Sequence, residues 1–80
     1  MILEISGAPA PVLQDFFYKV ALEDMGESLR DVENAYQIDH YGDFIEVVVD
    51  IEDRNYYWEN VMVSIGEILE QDYNVEVTTL

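Results

Sequence analysis

A chain of 80 residues has room for one small domain, residues 1–80, and the spread of its apolar half, 50% of all residues, says that this domain folds around a core. Eighteen Asp and Glu face only Lys19, Arg30 and Arg54, a formal net charge of -15, well past what solubility asks of a small domain. That balance excludes direct binding to nucleic acid or to an anionic membrane, both of which need Lys and Arg clusters, and it favours a basic partner.

Apolar and polar residues alternate from Met1 to the breaker cluster Gly7-Ala8-Pro9-Ala10-Pro11, so the first element reads as a short strand. Pro11 suits the first turn of a helix. Val12, Leu13, Phe16, Phe17, Val20 and Ala21 then fall on one side at 3.6-residue spacing, with Asp15, Lys19 and Glu23 turned away and Gly26 as the stop. Ser28 followed by Asp31 resembles a weak capping box, and Leu29 with Val32 predicts a helical turn or two before the chain straightens. Tyr18, Leu22 and Met25, on the flank of the first helix, either pack under the Leu29 segment or form a self-association surface.

Tyr36 to Tyr41 and Phe44 to Ile51 are period-2 segments joined at Gly42-Asp43, which predicts a tight hairpin. With a two-residue loop Tyr41 faces Phe44, and counting back places Tyr36, Ile38 and His40 with Ile45, Val47 and Val49 on the core face. The opposite face carries Gln37, Asp39 and Tyr41 beside Phe44, Glu46, Val48 and Asp50. Trp58, Val61, Met62, Ile65, Ile68 and Leu69 trace a second helical stripe, which Asn55 is placed to cap. Val75-Glu76-Val77-Thr78 ends the series as a strand. The order strand, helix, strand, strand, helix, strand predicts an α+β fold of the ferredoxin-like split βαβ type, β-α-β-β-α-β, an antiparallel sheet covered on one face by two helices. Such an architecture is shared by many unrelated functions.

The uncovered face is then expected to collect Glu4, Asp39, Glu46, Asp50 and Glu76. Residues two apart on a strand are roughly 6.6 Å apart and neighbouring strands about 4.8 Å, so the carboxylates form an array with spacings comparable to those between backbone phosphates. Glu59, Glu67 and Glu70 make a second acidic side on the second helix. Polar outer faces are ordinary, but a merely solvated surface mixes both signs of charge. Tyr41 and Phe44 on the open face, and Tyr56 on the outer side of the second helix, are candidate anchors in a charged interface; stacking across the hairpin explains the first two equally well.

Other chemistries find little support. The chain has no cysteine, hence no disulfide framework, thiolate zinc site or Cys nucleophile. Met1-Ile2-Leu3-Glu4 has no basic leader region, and no run approaches the roughly 18 apolar residues of a membrane span, so a cytoplasmic protein is expected. Acid-base enzymes need carboxylates with pKa values pushed apart in a cleft, and a small open sheet offers little cleft. His40, the lone histidine, reads as a partly buried, hydrogen-bonded residue rather than a general base, and nothing holds Ser64, His40 and Asp39 together as a triad. Gly7-Ala8-Pro9 lacks the Arg of a phosphate loop. Asp50 to Asn55 supplies oxygens without the glycine and closing Glu of a calcium loop, so neither a metal nor any other cofactor is expected.

Small size, strong acidity, absence of cysteine and a phosphate-like array together resemble the DNA-mimic inhibitors of phages and mobile elements, among them anti-restriction proteins, uracil-glycosylase inhibitors and, above all, small acidic anti-CRISPR proteins. The resemblance lies in composition and size, carries no motif, and assigns no residue. It implies a non-catalytic inhibitor in the host cytoplasm that blocks the Lys/Arg surface on which a nucleic-acid-binding complex holds DNA, with a type I (Cascade-type) surveillance complex as the expected partner. The residues proposed to meet that partner are Glu4, Asp39, Tyr41, Phe44, Glu46, Asp50 and Glu76. The same electrostatics fit an immunity protein of a basic nuclease, and a dimerising structural module remains open, the chain itself being a monomer or weak homodimer.

Overall fold

The computed structural model describes residues 1–80 and has an α+β architecture. Strand β1 (Ile2–Ser6) gives way to helix α1 (Ala10–Lys19), which starts where Gly7 and the two prolines break the alternation. The helix ends in a π-helical turn over Val20–Asp24, in which the Met25 N–H reaches back to the Val20 carbonyl at 3.0 Å. A short helix α2 (Leu29–Ala35) leads directly into β2 (Tyr36–His40) and β3 (Phe44–Val49). Helix α3 (Tyr57–Asp72) and β4 (Glu76–Thr79) complete the series.

The four strands form one antiparallel sheet in the order β2-β3-β1-β4. The connection from β1 to β2 therefore passes over β3, and that from β3 to β4 passes over β1. Leu3, Ile5, Ile45 and Val47 are cross-strand partners on one face, Leu3 with Val47 and Ile5 with Ile45, and all are buried. Against them pack Leu13, Phe17, Val20 and Ala21 from the first helical segment, Val32 and Ala35 from α2, and Val61, Met62, Ile65 and Leu69 from α3, in a single cluster. These are the apolar stripes at 3.6-residue spacing that the sequence shows, now facing the period-2 residues of the sheet. The close seat of α3 needs Gly66, where an added Cβ would stand 3.1 Å from Val77 and 3.3 Å from Leu3.

Three helices, not two, cover this face. The Ser28 side chain accepts from the Asp31 N–H at 3.2 Å, and this cap, with Val32 and Ala35 buried, turns the expected helical turn or two into a defined helix. Asn55 does not cap α3. The residue before the helix is Tyr56, left-handed at φ 56°, and Asp53 supplies the acceptor, taking the N–H of Asn55 at 3.1 Å and that of Trp58. An Asp folding back on the amides after it forms an Asx turn, which competes for the role assigned to Asn55. Tyr18, Leu22 and Met25 are partly buried against the core.

Tyr36 ties α1, β2 and α3 together. Its ring meets Phe17 and Trp58 edge-on, at centroid distances of 5.3 and 5.6 Å, and its hydroxyl donates to the Trp58 carbonyl at 2.6 Å. Burial first, and then the charge of Glu27, holds the phenol far above its ordinary pKa of 10. Above about pH 10 the unfolded chain gives up this proton while the folded chain keeps it, so the tyrosine's contribution is intact below that pH and is lost above it. Tyr36→Phe is expected to cost about 1 kcal/mol at neutral pH through the lost hydrogen bond, and to flatten the decline of stability between about pH 9.5 and 11.5. Urea midpoints across that range test it; an unchanged alkaline slope would show that other groups govern the decline.

Candidate functional site

The pairing register reads the uncovered face row by row. Asp39 on β2 lies opposite Glu46 on β3, Glu46 opposite Glu4 on β1, and Glu4 opposite Thr78 on β4. Three carboxylates thus form a row across three adjacent strands, about 4.8 Å from one strand to the next. All three are half-buried by their neighbours. Gln37, Val48 and Ile2 form the row on one side, in register with one another, and Phe44, Ser6 and Glu76 the row on the other. The face is an acidic stripe flanked by mixed rows, with Val48 and Ile2 as the apolar members on one side and Phe44 on the other.

Nothing on the face neutralises the stripe. Lys19 ends α1, Arg30 lies on α2, and Arg54 pairs with Glu52 at 3.0 Å in the loop before α3. The Gln37 side-chain amide donates to Asp39 at 3.2 Å. Like charges placed directly opposite on neighbouring strands weaken a sheet. Two such pairs, Asp39 with Glu46 and Glu46 with Glu4, therefore burden this one.

At the hairpin end, the Tyr41 N–H donates to the Phe44 carbonyl at 2.9 Å, which closes a two-residue loop of Gly42 and Asp43. The rings of Tyr41 and Phe44 stack at 4.9 Å with their planes within 10°. Phe44 is half-buried beneath, and Tyr41 remains 49% exposed. The charge of Glu46 first, then loss of water and the charge of Asp39, raises the Tyr41 phenol above its ordinary pKa, a sign that both carboxylates stand close to the ring.

The expected set is thus largely but not wholly brought together. Glu4, Asp39, Glu46, Tyr41 and Phe44 form one surface. Glu76 is on the same face but on the edge strand, in the next row, diagonal to Glu4. Asp50 keeps the parity of Glu46 and its N–H continues the β2–β3 register by bonding the Ala35 carbonyl at 2.7 Å, but it lies just past the end of β3 at Val49, four residues from Glu46 and with no partner on β1, so it is separate from the row. Sequence reasoning missed Ile2 and Thr78 as parts of the face. The parity of β1 could have placed Ile2 there, since it alternates with Leu3; the partner of Glu4 on β4 depends on a crossover that no local pattern records.

His40 is exposed, not partly buried. It occupies the last position of an edge strand, and the α1 residue that meets its ring is Gln14, whose side-chain oxygen bonds Nε2. Asp39 and His40 project to opposite faces of β2, so Ser64, His40 and Asp39 do not converge. The start of α1 offers no anion cradle either: Pro11 has no N–H, the Ala10 N–H bonds the Gly42 carbonyl at 2.9 Å, and those of Val12 and Leu13 bond Pro9. Of the acids on α3, Glu67 and Glu70 are exposed and line a cleft against β4, whereas Glu59 is half-buried. No helix is long and apolar enough to cross a membrane.

Comparison of the chain with protein-family models, with curated proteins and with solved structures finds no match.

The uncompensated row has a thermodynamic signature. Glu46→Gln removes the central charge and both like-charged pairs, and at about 0.2–1 kcal/mol for each pair is expected to stabilise the fold by about 0.4–2 kcal/mol at low ionic strength. The gain should shrink as salt rises to about 1 M, where the influence of an exposed charge reaches only about 3 Å. Urea unfolding at two salt concentrations checks this, and a loss of stability at low salt would show that the row is not under repulsion.

Proposed function

We propose that the protein is a non-catalytic inhibitor that uses the uncovered sheet face to occupy a basic nucleic-acid-binding surface in place of DNA. The observation that carries this reading is the row Asp39, Glu46 and Glu4, held in register without a basic residue on its face. Carboxylates about 4.8 Å apart from strand to strand make a line of closely spaced negative charge, the feature that a nucleic-acid strand presents with one phosphate per roughly 3.4 Å of its axis. A rigid sheet presents these charges already ordered, so that binding loses little side-chain freedom. The field of a chain at -15 steers a basic partner from a distance, and contacts with Arg and Lys hold it after encounter.

The partner class favoured is a nucleic-acid-binding protein or complex, as the resemblance to small acidic anti-CRISPR proteins implies, with a type I surveillance complex the leading candidate. Association through this face with a second copy is opposed by its own charge, since it would set carboxylates against carboxylates. For the architecture we propose the ferredoxin-like split βαβ fold, elaborated by α2. The strand order β2-β3-β1-β4 and the two interleaved crossovers support it.

Affinity capture from a bacterial lysate at low salt, followed by salt-step elution, tests the function. A nucleic-acid-binding protein is expected in the salt eluate, its binding to DNA titrated away by one equivalent of the inhibitor. The double variant Glu4→Lys, Glu46→Lys is expected to fold and to lose both capture and inhibition. Full inhibition by that variant, or captured partners whose DNA binding is untouched, would overturn the proposal.

A further inference from the structure

We propose that Tyr41, backed by Phe44 and bordered by Glu46 and Asp39, is an arginine-recognition site, so that the basic surface docked on the uncovered face is met at this corner by an arginine and not a lysine. This deepens the proposed function and rests on it for the identity of the partner, though not for the chemistry of the site.

Phe44 covers one side of the Tyr41 ring, with centroids 4.9 Å apart and planes nearly parallel, while half of the Tyr41 residue stays exposed at the edge strand. The stack fixes the ring's orientation and leaves its outer side to a ligand. Around the ring the register puts Glu46 on the diagonal and Asp39 two residues back on the same strand, both on the same face. Diagonal neighbours lie about 7–8 Å apart, and residues two apart along a strand about 6.6 Å. A group lying on the ring is therefore within reach of a carboxylate. The same closeness raises the Tyr41 phenol, with the charge of Glu46 as the first cause.

A planar aromatic surface beside uncompensated carboxylates distinguishes the two basic side chains. A guanidinium lies flat on the ring and still directs its edge N–H groups into a carboxylate, making both interactions at once. An ammonium is compact and strongly hydrated, gains from the carboxylate alone, and has no plane to stack. The unpartnered face is thus complementary in charge to any cation along its acidic row, and complementary in shape to arginine at its aromatic corner. Phe44 contributes by holding Tyr41, and Gln37, already bonded to Asp39, orients that carboxylate.

The test uses two capped peptides of equal charge, hexa-arginine and hexa-lysine, titrated calorimetrically into the full chain at low salt, with amide shifts of residues 37–46 recording the location. Hexa-arginine is expected to bind about 3–10-fold more tightly, with shifts at Asp39, Tyr41 and Glu46. Tyr41→Leu, which keeps an apolar cover on Phe44 without a π face, is expected to bring the two peptides to equal affinity; Tyr41→Phe is expected to keep the preference. An arginine preference unchanged in Tyr41→Leu, or none in the native chain, overturns the site. Peptide preference and lysate capture fail separately: a Tyr41-dependent preference with no nucleic-acid-binding partner retains the arginine site and removes the inhibitor reading, and the reverse pattern does the opposite.

Discussion

The turn at Gly42-Asp43 is the constraint from which the surface follows. Gly42 is left-handed at φ 81°, a conformation that lets β2 return as β3 after two residues. With Tyr41 locked opposite Phe44, Asp39 must stand opposite Glu46 and Ile38 opposite Val47. A slip of one residue would turn Ile38 and Tyr36 out to water and carry Asp39 toward the core, so the core defends the register that assembles the acidic row. The same turn accepts the Ala10 N–H on its Gly42 carbonyl, which fixes the start of α1 relative to the hairpin. Sheet register and helix placement therefore share one anchor.

The two faces of the central strands oppose each other energetically. Leu3, Ile5, Ile45 and Val47 are almost fully buried, and each contributes about 1.5–3 kcal/mol by leaving water. Across the sheet, the pairs Asp39–Glu46 and Glu46–Glu4 each cost about 0.2–1 kcal/mol. Burial wins by a wide margin even when reduced for the compactness of real unfolded chains. The sheet can hold a repulsive row on one face because the face behind it is dry.

Much of this was legible in the sequence where local periodicity decides the outcome. The hairpin register followed from Gly42-Asp43 and the alternation on either side, and with it came Asp39, Glu46, Tyr41 and Phe44 as one group. The stripes of α1 and α3 followed from 3.6-residue spacing, with Phe17, Val20, Met62 and Ile65 buried as that spacing requires. Features that depend on ends or on long-range placement were less legible. Asp50 continues the alternation of β3, yet the strand stops one residue earlier, where the chain turns toward α3. Asn55 and Asp53 are both sound capping residues, and the left-handed Tyr56 between loop and helix decides for Asp53. His40 has core parity, but parity cannot tell that an edge strand's last residue meets the polar Gln14. Glu4 was placed on the right face; its position beside Glu46 depended on β1 entering the sheet next to β3.

The repulsion within the row also bears on how the face would bind. In the free protein, the cost of holding Asp39, Glu46 and Glu4 side by side is already present, sustained by the core. A cation brought to the row cancels part of that cost in addition to making its own contacts, so relief of repulsion adds to affinity. A ligand that prefers the folded state also stabilises that state by linkage, so the residues that weaken the free fold are those through which a basic partner would strengthen it. A second copy offers no such relief, and a neutral apolar partner would have to dehydrate the carboxylates without compensating them. The physical character of the face, acidic along its centre with Val48 and Ile2 on one side and the Tyr41–Phe44 stack on the other, thus selects for a partner that brings basic groups set among apolar or aromatic ones.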